Sequence, residues 1–138
     1  MKIISIGPAY PLRGGIARFN ESLSLSLQDE GHQVDIISYR FQYPSALFPG
    51  KSQFATEGSP PAGLAIESLI HSLSPLSWKQ VALELIKRKP DLVIIHYWMP
   101  FFAPAMGFIC RRLKKFSDIP VILLAHNLIP HETQPGTV

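Results

Sequence analysis

Residues 1–38 read MKIISIGPAYPLRGGIARFNESLSLSLQDEGHQVDIIS. The isoleucine-rich run Lys2–Ile6 predicts a strand that stops at Gly7 and Pro8, since proline has no N–H for a ladder. After a loop to Gly15, the apolar residues Ile16, Phe19, Leu23 and Leu27 recur at helical spacing, and this face is expected to pack on the core. Gly31 stands where a helix is closed by a left-handed residue. Residues 33–38, with Val34, Ile36 and Ile37, predict a second strand, so a complete strand–helix–strand unit fits in the opening stretch. Units of this kind pair their strands in parallel.

Downstream, residues 39–63 hold no period and contain Pro44, Pro49, Pro60 and Pro61 among the aromatics Phe41, Tyr43, Phe48 and Phe54, the signature of a long loop. A short strand is expected over 65–70. Ser77 is expected to cap a helix whose residues Trp78, Val81, Ala82, Leu85 and Ile86 share one face, with Pro90 ending it. Residues 92–96 are continuously apolar, as in a strand covered by helices on both sides. A further helix carries Phe102, Ala105, Met106, Ile109 and Leu113 on one side, and 120–125 is a fifth strand. This alternation predicts a Rossmann-like, doubly wound α/β fold with a mainly parallel sheet. Only twelve residues follow His126, with no periodic pattern from 131 onward. The single domain over 1–138 is therefore expected to be incomplete at its C-terminus.

Composition agrees with one packed domain: 138 residues, 46% hydrophobic and 17% charged, exclude a disordered chain. The net charge of +3 comes partly from Lys87, Arg88, Lys89 and from Arg111, Arg112, Lys114, Lys115, which fall where helices end and complement the helix dipole. The same clusters suit an anionic membrane surface. No interleaving of basic and aromatic residues points to nucleic acid. One cysteine, Cys110, and no Cys/His spacing for a metal suggest a reducing compartment and no metal site, so a cytoplasmic location is expected, with contact at the inner face of the membrane as its extension. Residues 1–6 lack the extended apolar region of a signal peptide. Residues 92–110 carry no Asp, Glu, Lys or Arg, but Pro100, Pro104, His96 and Tyr97 favour strand, turn and helix over a membrane span.

Ligands of open parallel sheets bind at the carboxyl ends of strands, which selects three loops, 8–15, 96–101 and 126–132. In the first, Gly14 and Gly15 precede the helix, with Arg13 beside them, so backbone amides and the helix dipole can face a phosphate or a sugar oxygen. A plain tight turn is the competing reading. A dinucleotide fingerprint is absent, because Gly7 lies seven residues from Gly14 and Ser38, Tyr39 and Arg40 offer no acid to a ribose. In the last loop, His126 and Asn127 follow a buried strand, from where an imidazole can donate to a sugar hydroxyl or buffer developing charge. A structural histidine is the alternative there, and His131 and Glu132 read as solvated loop residues. In the middle loop, His96, Tyr97 and Trp98 can bond or stack on a sugar, or simply pack at the core edge. No Ser–His–Asp arrangement and no glycosidase carboxylate pair is evident, which disfavours hydrolysis.

Together, MKIISIGPAYPLRGGIARF, GHQVDIIS, KPDLVIIHYW and LLAHN resemble the N-terminal domains of family 4 retaining glycosyltransferases of the GT-B fold, over essentially the whole chain. The resemblance implies an acceptor-side domain facing a second, nucleotide-sugar-binding domain that is absent from 1–138, and hence a chain not competent alone. It implies that Gly14 and Gly15 lie by the donor diphosphate, with His126 close to the transferred sugar. It implies a UDP- or GDP-linked sugar as substrate, no cofactor, and a polysaccharide or lipid-linked glycan of the cell envelope as acceptor. Two other classes compete: a non-catalytic Rossmann-like binding module, and an NAD(P)-dependent oxidoreductase domain, which the missing fingerprint disfavours.

Overall fold

The computed structural model describes residues 1–42 and 58–126. Residues 43–57, with most of the expected aromatic loop, lie outside the described residues, as do Asn127, His131 and Glu132. The chain runs β1 (Lys2–Ile6), α1 (Gly15–Asp29), β2 (Gln33–Phe41), β3 (Ala65–His71), α2 (Pro75–Arg88), β4 (Leu92–Tyr97), a 3-10 turn (Pro100–Phe102), α3 (Ala103–Phe116) and β5 (Val121–Ala125). The five strands form one sheet in the order β3-β2-β1-β4-β5, and every pair is parallel. This is the Rossmann-like α/β architecture expected from the alternation of elements.

Strand pleating sends alternate β1 residues to opposite layers. Ile4 and Ile6 join Ile37, Tyr39, Val93 and Ile95 under the buried faces of α2 (Val81, Leu85) and α3 (Ala105, Met106, Ile109, Leu113). Ile3, Val34 and Ile94 lie on the other side, where Leu27 of α1 packs. The expected apolar face of α3 is the face that is buried.

Two expectations need correction. The residues of α1 that meet the sheet are Ala17, Asn20 and Ser24, whereas Phe19 is 48% exposed and Ile16, Leu23 and Leu27 flank the contact. Small side chains let the helix approach closely, and Asn20 reaches β1 by hydrogen bonds that an apolar residue cannot make. The cap of α2 is Ser74, whose side chain accepts from the Ser77 N–H at 3.4 Å, with Pro75 in the first helical position where its missing N–H costs nothing. Ser77 instead bridges back to His71, accepting from its N–H at 3.0 Å. At the edge of the sheet, β5 leaves Ile122 and Leu123 47% and 53% exposed, while β4 is buried from Val93 to His96. Among the described residues no helix is long and apolar enough to cross a membrane.

Gly7 fixes how closely β1, β4 and α1 approach. A Cβ there would lie 3.0 Å from both Cβ and Cδ2 of His96 and 3.1 Å from Nδ2 of Asn20. Gly7→Ala is expected to lower stability by about 1–3 kcal/mol through overpacking. A urea midpoint equal to that of the wild type would show that these neighbours yield freely.

Candidate functional site

A wholly parallel sheet puts the carboxyl ends of all its strands on one rim, and the strand order reverses between β1 and β4. Gly7 after β1, His96 in the last residues of β4 and His126 after β5 come together in a row here.

The loop after β1 is clamped before it becomes exposed. Gly7 N–H donates to the Ile37 carbonyl at 3.1 Å, Ala9 N–H to Ser38 Oγ at 3.0 Å and Tyr10 N–H to Glu21 Oε2 at 2.6 Å. Ala9 and Leu12 are buried, so the loop is held as far as residue 12, and Arg13, Gly14 and Gly15 stand exposed. Gly14 is the N-cap of α1 with φ at 127°, in the region that favours glycine, and it supplies no side-chain cap. No acidic residue occupies the first turn. The first-turn amides thus receive no side-chain cap from Gly14 and no carboxylate from their own turn. Arg13, Gly14, Gly15 and Arg18 line an open cavity of about 500 Å³, and a Cβ added to either glycine would meet nothing within 4 Å. A cavity of about 490 Å³ between β3 and α2 is also lined by charged residues, among them Arg88, which is bound to Glu67 at 2.6 Å and to Glu84 at 2.9 Å.

Further along α1, at Phe19, lies a pair of imidazoles. The His126 N–H donates to the Tyr97 carbonyl at 2.7 Å, extending the β4–β5 ladder by one step and fixing the residue at the rim. His126 Nε2 lies 3.0 Å from His96 Nδ1, and His96 Nε2 lies 3.1 Å from Ser5 Oγ. Ser5 Oγ donates to Asn20 Oδ1 at 2.6 Å, and Asn20 Nδ2 donates to the Pro8 carbonyl at 3.1 Å. Phe19 stands edge-on to both rings, with centroids 5.1 Å from His126 and 6.0 Å from His96. Burial, and after it the neighbouring His126, pull the His96 pKa from 6.5 to about 4. Burial also lowers that of His126. Neutral imidazoles are therefore the resting state at pH 7.

The expected candidates divide accordingly. Arg13, Gly14 and Gly15 line the open cavity at the start of α1, while His126 follows β5 on the same carboxyl edge of the sheet and meets α1 at Phe19, the fifth residue of the helix. His96 is fully buried with both ring nitrogens engaged, by His126 and Ser5, which leaves no ring nitrogen for the direct ligand bond considered for it. Trp98 packs on Phe102 and Tyr39, the core-edge role. The sequence reading missed Ser5, Asn20, Arg18 and the placement of Phe19. A signal for Asn20 was present, since Ala17, Asn20 and Ser24 form their own helical stripe of small and polar residues.

Residues 13–137 match the family model described as Glycosyltransferase Family 4. A comparison with curated proteins gives no match. Among solved structures, one similar chain is described as an "alpha-glucosyltransferase in complex with UDP and a 13-mer DNA containing a HMU base", at 14% identity and a TM-score of 0.47, covering 88% of this chain and 30% of that one. The present chain therefore corresponds to 30% of the length of that structure.

The depressed imidazoles make stability depend on pH with a definite sign. The unfolded chain takes up protons near pH 6.5, while folded His96 does so only near 4, so the folded state binds fewer protons between these values. Stability is present in full above about pH 6.5, falls as pH drops, and this contribution levels off below about 4. Tm is expected to fall on the order of 5 °C between about pH 7 and 5, and by less in His96→Gln. Equal slopes for the two proteins in thermal melts would exclude His96 as the source.

Proposed function

The chain belongs to Glycosyltransferase Family 4, and we propose that it forms the N-terminal, acceptor-side half of a retaining transferase of the GT-B type. In this reading the enzyme moves a sugar from a UDP- or GDP-linked donor to a glycan or lipid-linked acceptor. The observation that carries it is the placement, on the carboxyl edge of one sheet, of a helix N-terminus without a side-chain cap, lined by two arginines, and of an imidazole at the end of β5 that contacts the same helix through Phe19. Diphosphate oxygens lie against the amides of the first α1 turn, with Arg13 and Arg18 adding charge, and His126 stands by the transferred sugar. Basic side chains and amides suffice to neutralise the leaving diphosphate, so no metal or cofactor is assigned. Retention without a protein nucleophile lets the departing phosphate oxygen guide the acceptor hydroxyl, while the rim stabilises charge on the diphosphate and the oxocarbenium-like sugar.

Magnitudes call for a second lobe. A helix N-terminus contributes at most about 2 kcal/mol toward an anion, whereas micromolar affinity needs about 8 kcal/mol. The remainder has to come from a nucleotide-sugar-binding domain closing on this rim, and transfer by residues 1–138 alone is not expected.

A separate observation favours an acceptor at a membrane surface, such as a cell-envelope glycan handled at its cytoplasmic face. The C-terminal half of α3 presents Arg111, Lys114 and Lys115 to solvent together with Phe116, and the Arg112 guanidinium lies 5.2 Å from the Phe108 ring and 5.7 Å from that of Phe116. Basic groups around partly exposed rings suit an anionic interface, at about 1 kcal/mol per residue. Co-sedimentation with vesicles is expected to rise with anionic lipid content and to weaken in a triple variant carrying Arg111→Gln, Lys114→Gln and Lys115→Gln. Binding indifferent to lipid charge would remove the membrane reading.

In the two-lobed enzyme, His126→Ala is expected to lower kcat by about 10²-fold, the scale of removing one preorganised polar group from a transition state, with little change in Tm. Unchanged turnover at an unchanged Tm would make the residue structural and defeat the assignment.

A further inference from the structure

The interior of the α1–sheet interface holds a row of hydrogen bonds that begins at a group with no choice of direction. A backbone carbonyl only accepts, so the Pro8 oxygen, 3.1 Å from Asn20, obliges the Asn20 amide to turn its NH2 toward it. The opposite rotamer would set two acceptors against each other. Asn20 Oδ1 is then the acceptor for Ser5, whose single O–H is spent on it at 2.6 Å. Ser5 Oγ can therefore only accept from His96, which places the His96 proton on Nε2. His96 Nδ1 is left with a lone pair, and the bond at 3.0 Å requires a proton on His126 Nε2. Each group in the row but the last is fully or almost fully buried, so no water competes for the direction.

We propose that Asn20, Ser5 and His96 act as positioning residues that fix the tautomer of His126, so that its remaining ring nitrogen, Nδ1, meets a ligand as a hydrogen-bond acceptor. This rests on the functional reading of His126 given above and deepens it. The ligand atom at Nδ1 must then bring its own proton, as a sugar hydroxyl does. A sugar carrying a carboxylate at that point would oppose lone pair to lone pair, and a deoxy sugar would leave the nitrogen unpaired. The expectation that His126 donates to a hydroxyl is thereby reversed for the neutral ring. Among the described residues no group bonds to His126 Nδ1, while its Nε2 and backbone N–H are both engaged.

The tautomer is read directly from long-range proton–nitrogen NMR spectra of this chain at neutral pH, without substrate. In the wild type, His126 is expected to show a protonated Nε2 and an unprotonated Nδ1, and the reverse pattern would overturn the proposal. Ser5→Ala and Asn20→Ala each remove a link, and the His126 nitrogen resonances are expected to move toward averaged positions as both tautomers become populated. Ser5→Thr retains the hydroxyl and is expected to restore the wild-type pattern. Resonances unmoved in either folded alanine variant would show that the row does not set the tautomer and would likewise overturn the proposal. The NMR readout requires no turnover, so the His126→Ala kinetics test the functional reading separately: unchanged transfer would remove His126 from catalysis while leaving its tautomer measured.

Discussion

A polar row buried between a helix and a sheet sets the geometry of the whole rim. Ser5, Asn20 and His96 sit where a Rossmann-like layer ordinarily places aliphatic side chains, and each would cost about 1–3 kcal/mol if left unpaired. Their mutual bonds can form only if α1 lies close to β1 and β4. The small residues Ala17 and Ser24 permit that approach on the helix side, and Gly7 permits it at the switch point of the sheet. Once α1 is held in this way, the direction in which its uncapped N-terminus points is fixed too. The anion-facing amides and the imidazole of His126 are thereby positioned by one set of contacts, although Gly14 and His126 lie more than a hundred residues apart in the chain.

Much of this architecture was legible in the sequence because the signals were local and strong. The β-branched runs at 2–6, 33–38 and 92–96 and the helical stripe through Phe102, Met106, Ile109 and Leu113 each yield their element, although β2 runs on to Phe41 and buries Tyr39, residues expected to open the long loop. The errors arose where two local rules competed. Along α1 the larger apolar residues drew attention to Ile16, Phe19, Leu23 and Leu27, yet the residues buried against the sheet are the neighbouring stripe of Ala17, Asn20 and Ser24, with Leu27 packing beside them. Periodicity identifies a helix, but burial is decided by what the opposing surface needs, and here β1 offers a serine hydroxyl. At α2, Ser74 and Ser77 both had capping chemistry, and the proline after Ser74 decided between them.

The candidate site was half legible for a related reason. A location rule, the carboxyl ends of parallel strands, was enough to single out Gly14, Gly15 and His126. Ser5 and Asn20 could not be found that way, because their role depends on a tertiary contact between residues fifteen apart whose side chains look unremarkable in a strand and a helix. His96 was noticed as a rim residue, but its full burial follows from the closeness of Gly7 and Asn20, which only packing reveals.

The two halves of the rim also differ in electrostatic character, and that difference supports a division of tasks. Arg13, Arg18 and the end of the α1 dipole make one side permanently positive, which disfavours a further positive charge nearby. Burial already disfavours the charged form of both His96 and His126, and for His96 the neighbouring His126 adds to it. Under the proposed function, charge neutralisation of a phosphate would fall to groups that cannot lose their charge, the arginines and amides, and orientation of an uncharged hydroxyl to an imidazole whose protonation burial disfavours. Phe19, edge-on to both rings, borders the imidazoles with a side chain that offers no competing hydrogen bond. A protonated His126 would blur this separation by competing with the arginines for the same anion. In the proposed reading, the buried row thus directs an imidazole toward the sugar along the same helix whose N-terminus faces the phosphate.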